Sequence, residues 1–185
     1  MGLVNEIINK NGEKVVIEMM DCRQMTEAFK RIKGWEIISS FSVGGFLYLG
    51  FSKNMPGKMI VISDSKAKIL DCNDGSLVEC NAEYDEREYV AICDMIEDEY
   101  ITLVGPYGGS ISHETISGER VEIEYLGEKV TPYKTLKYVQ ILFADTMGNR
   151  EIIYRSNPPY LYGFSDDGNY FVLADDGGIS VLRRI

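Results

Sequence analysis

Histidine is almost missing from this 185-residue chain, His113 being the only one. That removes multi-histidine zinc sites and most histidine-based acid/base arrangements. Long apolar runs are missing as well: no stretch approaches the ~18 to 20 apolar residues of a membrane span. Met1 to Asn11 lacks the basic start and apolar run of a signal peptide. A cytoplasmic protein is expected. The four cysteines, Cys22, Cys72, Cys80 and Cys93, show no C-x-x-C spacing, so they read as small core or surface residues with reduced thiols. With 45% apolar and 26% charged residues and no low-complexity tract, the chain belongs to the ordinary globular class. Its length suits one domain over 1–185: a strand-helix-strand lead-in over 1–40, then β-hairpin repeats over 41–185.

Bases are scarce in one window. Between Glu79 and Glu99 stand Glu79, Glu83, Asp85, Glu86, Glu88, Asp94, Glu97, Asp98 and Glu99 against the single base Arg87, whereas the whole chain carries a net charge of −10. Most of the net charge therefore sits in 21 residues. Such a field opposes nucleic acid and anionic lipid and favours a basic partner or a cation.

Asp21 with Gln24 three residues on has the form of a capping box, and Gly34 follows as a stop. Met25, Ala28, Phe29 and Ile32 fall on one face, which predicts a helix over Asp21 to Lys33 with a basic outer face of Arg23, Lys30, Arg31 and Lys33. Lys14 to Met20 and Trp35 to Phe41 read as flanking strands. From Phe41 onward, short β-branched and aromatic runs alternate with Gly, Asn and Asp clusters, the pattern of hairpins. Three segments are alike, 59–70, 100–112 and 170–182, with a looser copy at 138–154. Each is an apolar run, a small polar turn and a second strand. Their starts are 41, 38 and 32 residues apart, a spacing suited to β-propeller blades or a long β-meander.

Phe164-Ser-Asp-Asp-Gly-Asn-Tyr-Phe-Val-Leu-Ala-Asp-Asp-Gly-Gly-Ile-Ser-Val-Leu-Arg183 resembles a WD40-type blade, in which a Phe-Ser-x-Asp-Gly turn leads into one strand and an Asp-Gly turn into the next. Phe41-Ser-Val-Gly-Gly45 followed by Phe46-Leu-Tyr-Leu49 is a fainter echo. The pattern departs from that family in lacking Gly-His and Trp-Asp pairs, and Trp35 lies outside the repeats. The resemblance implies three or four blades: a partial, open, dimer-completed or small closed propeller. The fold class expected is mainly β, an antiparallel meander or propeller-like repeat with one short helix.

No catalytic set emerges. Ser112, His113 and Glu114 are chain neighbours, which on a strand would point to opposite faces. The Asp71-Cys-Asn-Asp-Gly-Ser76 run misplaces the glycine of a calcium loop and has Ala82 where the bidentate Glu belongs. Asp166, Asp167, Asp175 and Asp176 read as turn residues beside Gly168, Gly177 and Gly178, which accept positive φ. Gly50 to Lys58 has too long a gap for a phosphate loop, with Met59 in place of Ser or Thr. No metal or cofactor is expected. The reading is a non-enzymatic protein-binding module, most concretely an acidic immunity protein that covers a basic toxin such as a nuclease. The expected contact is Glu83, Tyr84, Asp85, Glu86, Glu88, Tyr89, Glu97, Asp98, Glu99 and Tyr100, with the tyrosines as anchors. The alternatives are a small-ligand or peptide-binding sensor or adaptor domain, and a hydrolase using carboxylates alone.

Overall fold

The structure, a computed structural model, describes residues 3–185. Along the chain run β1 (Val4–Ile8), β2 (Lys14–Glu18), α1 (Cys22–Phe29), β3 (Trp35–Phe41), β4 (Phe46–Phe51), β5 (Lys58–Ser63), β6 (Ala67–Asp71), β7 (Leu77–Cys80), β8 (Ala82–Asp85), β9 (Val90–Cys93) and β10 (Ile96–Thr102). There follow β11 (Arg120–Val130), β12 (Thr135–Ala144), β13 (Arg150–Ser156), β14 (Leu161–Phe164), β15 (Tyr170–Asp175) and β16 (Gly178–Arg184). The protein is mainly β, with one helix among the described residues and no sheet there closed into a barrel.

Four antiparallel sheets form by up-and-down pairing: β4-β5-β6-β7, β8-β9-β10, β13-β12-β11-β1-β2 and β14-β15-β16-β3. The last is completed from the other end of the chain, because β3 pairs with β16 from Ile179↔Phe41 to Arg184↔Trp35. Three clusters hold the sheets face to face. Tyr48, Ile60, Ile62, Ile101 and Leu103 join the β4–β7 and β8–β10 sheets. Leu49, Met59, Val61, Val172 and Val181 join β4–β7 to the β14–β16 sheet. Phe29, Trp35, Phe143, Phe164, Phe171 and Leu182 join that sheet to β11–β13, with α1 packed alongside. Among the described residues no core cluster joins the two end sheets.

The helix keeps its capping box: Gln24 N–H donates to Asp21 Oδ1 at 2.8 Å, and Asp21 N–H to Gln24 Oε1 at 2.9 Å. It is shorter than the spacing suggests. After Phe29 the bonds shorten to Arg31 N–H to Ala28 O and Ile32 N–H to Phe29 O, so Ile32 is buried from a tight turn that Gly34 (φ +79°) ends. The first flanking strand likewise stops at Glu18 rather than Met20.

The hairpins expected at 59–70, 138–154 and 170–182 are present as β5–β6, β12–β13 and β15–β16. The one expected at 100–112 is not formed. Its apolar run is taken by neighbours instead: Val104 exchanges both backbone bonds with Leu49 of β4, and Leu103 N–H donates to Tyr89 O. Gly105 and Gly108 then close a tight turn, and Ser112 O accepts from Phe164 N–H of β14. The 103–119 connection thus crosses β4 and β14 on its way to β11.

Glycine makes the crossing possible. A Cβ on Gly105 would lie 2.1 Å from Leu47 O, and one on Gly50 2.3 Å from Thr102 O. Both obstacles are backbone atoms, which cannot rotate away. Gly105→Ala is expected to destabilise the fold by about 2–3 kcal/mol, the cost of forcing extra volume into a packed seam. Asp21→Ala should cost about 1 kcal/mol for the lost cap. Urea unfolding midpoints of the two variants against the parent chain check both values and their order.

Candidate functional site

The acidic window folds into the β8–β10 sheet, which lies at one end of the stack and packs through Ala91, Cys93, Ile96 and Ile101 on the β4–β7 sheet. Its β8–β9 turn is set by Asp85, whose Oδ1 accepts from the N–H groups of Arg87 at 2.7 Å and Glu88 at 3.2 Å. This leaves Glu86, Arg87 and Glu88 at an exposed tip. Tyr89 (φ +51°) ends the turn, facing the other way: its hydroxyl donates to Tyr107 O at 3.1 Å and its ring packs beside the buried Tyr48.

Strand β10 carries a bulge. Ile96 pairs with Cys93 and Ile101 with Ala91, so the four residues Glu97 to Tyr100 oppose Ile92 alone, with Asp98 at φ +54°. The cause is parity. Ile96 and Ile101 are five residues apart and both buried, whereas a regular strand would send them to opposite faces. The bulge restores both to the core and divides the acids. Glu99 turns inward. Its carboxylate accepts from Lys53 N–H at 2.6 Å, Asn54 N–H at 3.2 Å and Ser52 Oγ at 2.5 Å. The β4–β5 turn, the segment with the phosphate-loop look, is therefore filled by the chain's own anion.

Glu97, Asp98 and Tyr100 turn outward. With Glu83, Ile92 and Asp94 they border an open groove of about 920 Å³. A smaller hollow of about 200 Å³ continues it, lined by Glu83, Tyr84, Asp85, Ile92 and Tyr100. Tyr100 is 77% exposed and Ile92 42%, an apolar centre within an acidic border. Of the window's acids, Glu79 pairs with Lys66, Asp85 sets its turn, Asp94 accepts from Asn81 and Glu99 holds the β4–β5 turn. Among the described residues the carboxylates of Glu83, Glu86, Glu88, Glu97 and Asp98 make no ion pair or hydrogen bond.

The structure therefore gathers Glu83, Glu97, Asp98, Glu99 and Tyr100 at the groove, places Tyr84 and Asp85 on its continuation, and holds Glu86 and Glu88 at the tip. Tyr89 lies apart from both hollows. Sequence reasoning missed Ile92, an apolar residue on the solvent side of β9, because its facing depends on the strand's register.

Elsewhere, turn chemistry accounts for Asp71, Asp167 and Asp175, each of which accepts from a backbone N–H two residues on. Asp71 pairs with Lys58 at 2.6 Å and accepts from Asn73 N–H, which hold its carboxyl below the usual carboxylate range. Gly168 and Gly178 take positive φ; Gly177 does not. Ser112 to Glu114 is loop joined by single bridges rather than strand. There the Ser112 hydroxyl donates to Glu114 O, while the His113 ring stacks on Tyr162 with centroids 4.5 Å apart. Among the described residues no helix is long and apolar enough to cross a membrane.

The chain matches no family model, no curated protein and no solved structure.

Glu99→Ala should lower stability by about 2 kcal/mol, since hydrogen bonds to a charged acceptor are lost and the turn's donors are left unpaired. Glu97→Ala, two residues away and exposed, should change it by less than about 0.5 kcal/mol. Chemical denaturation of the two variants reads the difference, and equal effects would refute the inward and outward division of the bulge.

Proposed function

We propose that this chain is a protein-binding module that uses the outer face of the β8–β10 sheet to engage a basic protein, as an acidic immunity protein in the cytoplasm would cover a toxin. The observation that carries this reading is the set of three unpaired carboxylates, Glu83, Glu97 and Asp98, around the exposed Ile92 and Tyr100, with Glu86 and Glu88 at the neighbouring β8–β9 tip. Charge would steer the encounter, while the desolvated aromatic and aliphatic centre would set the lifetime of the complex. In the same reading the four sheets are blade-like repeats, resembling WD40-type blades, that serve as a scaffold for this face.

A second reading, a small-ligand sensor, draws on a pocket of about 310 Å³ between the Phe41–Gly45 and Ser63–Lys68 segments, within the size range of ligand sites. Salt separates the two. A steered acidic interface loses association rate as ionic strength rises, and binding of an uncharged ligand in this pocket, lined by Ser63, Asp64, Lys66 and Lys68 as well as Phe41 and Val43, does not.

Reversing Glu83, Glu86, Glu88 and Glu97 to Lys leaves the structural Glu99 in place. Association with a copurified basic partner should then slow by about tenfold or more at low salt, with thermal stability unchanged or slightly raised by relief of self-repulsion. Tyr100→Ala should instead speed dissociation. Association rates of the quadruple variant measured at two salt concentrations decide the matter, an unchanged rate at both ending the acidic-interface reading.

A further inference from the structure

We infer that Cys80, Cys93 and Asp94 bind one soft divalent cation of the zinc type where the chain crosses from the β4–β7 sheet to the β8–β10 sheet. Neither thiol has a ligand-spaced neighbour in sequence, yet the fold brings the two sulfurs and a carboxylate oxygen within 4.8 Å of one another. The positions are rigid. Cys80 ends β7 opposite Ala67, Cys93 ends β9 between Ala82 and Ile96, and Asn81 alone separates β7 from β8. A tetrahedral ion with metal–sulfur bonds of about 2.3 Å and metal–oxygen bonds of about 2.0–2.2 Å spans such separations after shifts of no more than about an ångström.

A supporting layer is in place. Met95 N–H donates to Cys93 Sγ at 3.3 Å, which orients the sulfur. Asn81 N–H and Nδ2 donate to Asp94 Oδ1 at 3.1 Å and Oδ2 at 2.7 Å, fixing the carboxylate while each oxygen keeps a lone pair for the metal. Two sulfurs and one oxygen select a zinc-type ion over magnesium or calcium, which take all-oxygen shells. Cys93 and Asp94 line the acidic groove, which gives the ion an entry and leaves the fourth position to water. The site stands independently of the partner-binding reading.

The test titrates the full-length reduced protein, stripped by a chelator, with Co²⁺ alone. A single equivalent should produce sulfur-to-metal charge-transfer absorption and tetrahedral d–d bands, which Zn²⁺ abolishes and Mg²⁺ does not. Cys80→Ser and Cys93→Ser should each remove the charge-transfer band or weaken binding beyond the roughly 10–100-fold that loss of an outer-shell partner costs. Asn81→Ala should fall within that range. Asp94→Asn, at an exposed position, should weaken binding with the far-ultraviolet spectrum unchanged, and so decides the case if a cysteine variant fails to fold. Absence of charge transfer in the folded parent protein at millimolar Co²⁺ would overturn the site. So would full-strength binding in Asp94→Asn, or a band that persists in the Cys80→Ser, Cys93→Ser double variant.

Discussion

Burial of both faces of the two middle sheets is the constraint from which the rest follows. Along β5, Met59 and Val61 enter one core while Ile60 and Ile62 enter the next. Along β15, Tyr170, Val172 and Ala174 face one core, and Phe171 and Leu173 the other. The middle stretches of these two strands thus serve two interfaces, so neither face can carry a charge there without burying it. A one-residue slip would exchange two apolar faces rather than expose one, which leaves register poorly specified by side-chain pattern. The turns supply it. Asp71, Asp167 and Asp175 each accept from a backbone N–H two residues on, at 2.9, 3.0 and 2.8 Å, fixing where one strand ends and the next begins. These three acids are thereby accounted for by folding.

The end sheet obeys a different rule because only one of its faces is covered. There the spacing of Ile96 and Ile101 conflicts with strand periodicity, and the conflict is resolved by a bulge rather than by exposing an isoleucine. Burying an isoleucine side chain is worth about 1.5–3 kcal/mol, enough to outweigh the ladder bonds that the bulge disturbs, which net about 0.5–1.5 kcal/mol each. The bulge has two products. It sends Glu99 onto the β4–β5 turn, locking the end sheet to its neighbour, and it pushes Glu97, Asp98 and Tyr100 into solvent. It also bends the sheet edge, which discourages pairing with another strand.

What was legible in the sequence was whatever depends on a few adjacent residues. The capping box at Asp21 and Gln24, the strand at Trp35–Phe41 and the hairpins at 59–70 and 170–182 all announce themselves locally. The segment 100–112 looks equally like a hairpin, but its partners, Leu49, Tyr89 and Phe164, come from three other places in the chain. Local pattern cannot weigh a competitor that is distant in sequence. The candidate contact was visible as charge and invisible as geometry for the same reason. Nothing in the run Glu97-Asp98-Glu99 tells that the third faces inward; only the bulge's register does. The approach of Cys80 to Cys93 is likewise a product of the β8–β9 register.

Once folding has claimed its share, the meaning of the remaining charge changes. Four of the window's nine acids are explained by an ion pair, a turn, the Asn81 hydrogen bonds and the Glu99 anchor, so the raw excess overstates what needs a function. The residue is smaller but sharper: five carboxylates on one sheet, with Glu83, Glu97 and Asp98 around one apolar centre, Glu86 and Glu88 at the tip beside it, and Arg87 the only base in the window. Like charges held together repel, and dispersing them over the other sheets would give the same net charge with less repulsion. Solubility depends on net charge and is served by either arrangement. A requirement for local field, from a basic partner or a cation in the groove, is met only by the clustered one. That asymmetry, and not the total charge, is the argument for placing function on the β8–β10 sheet.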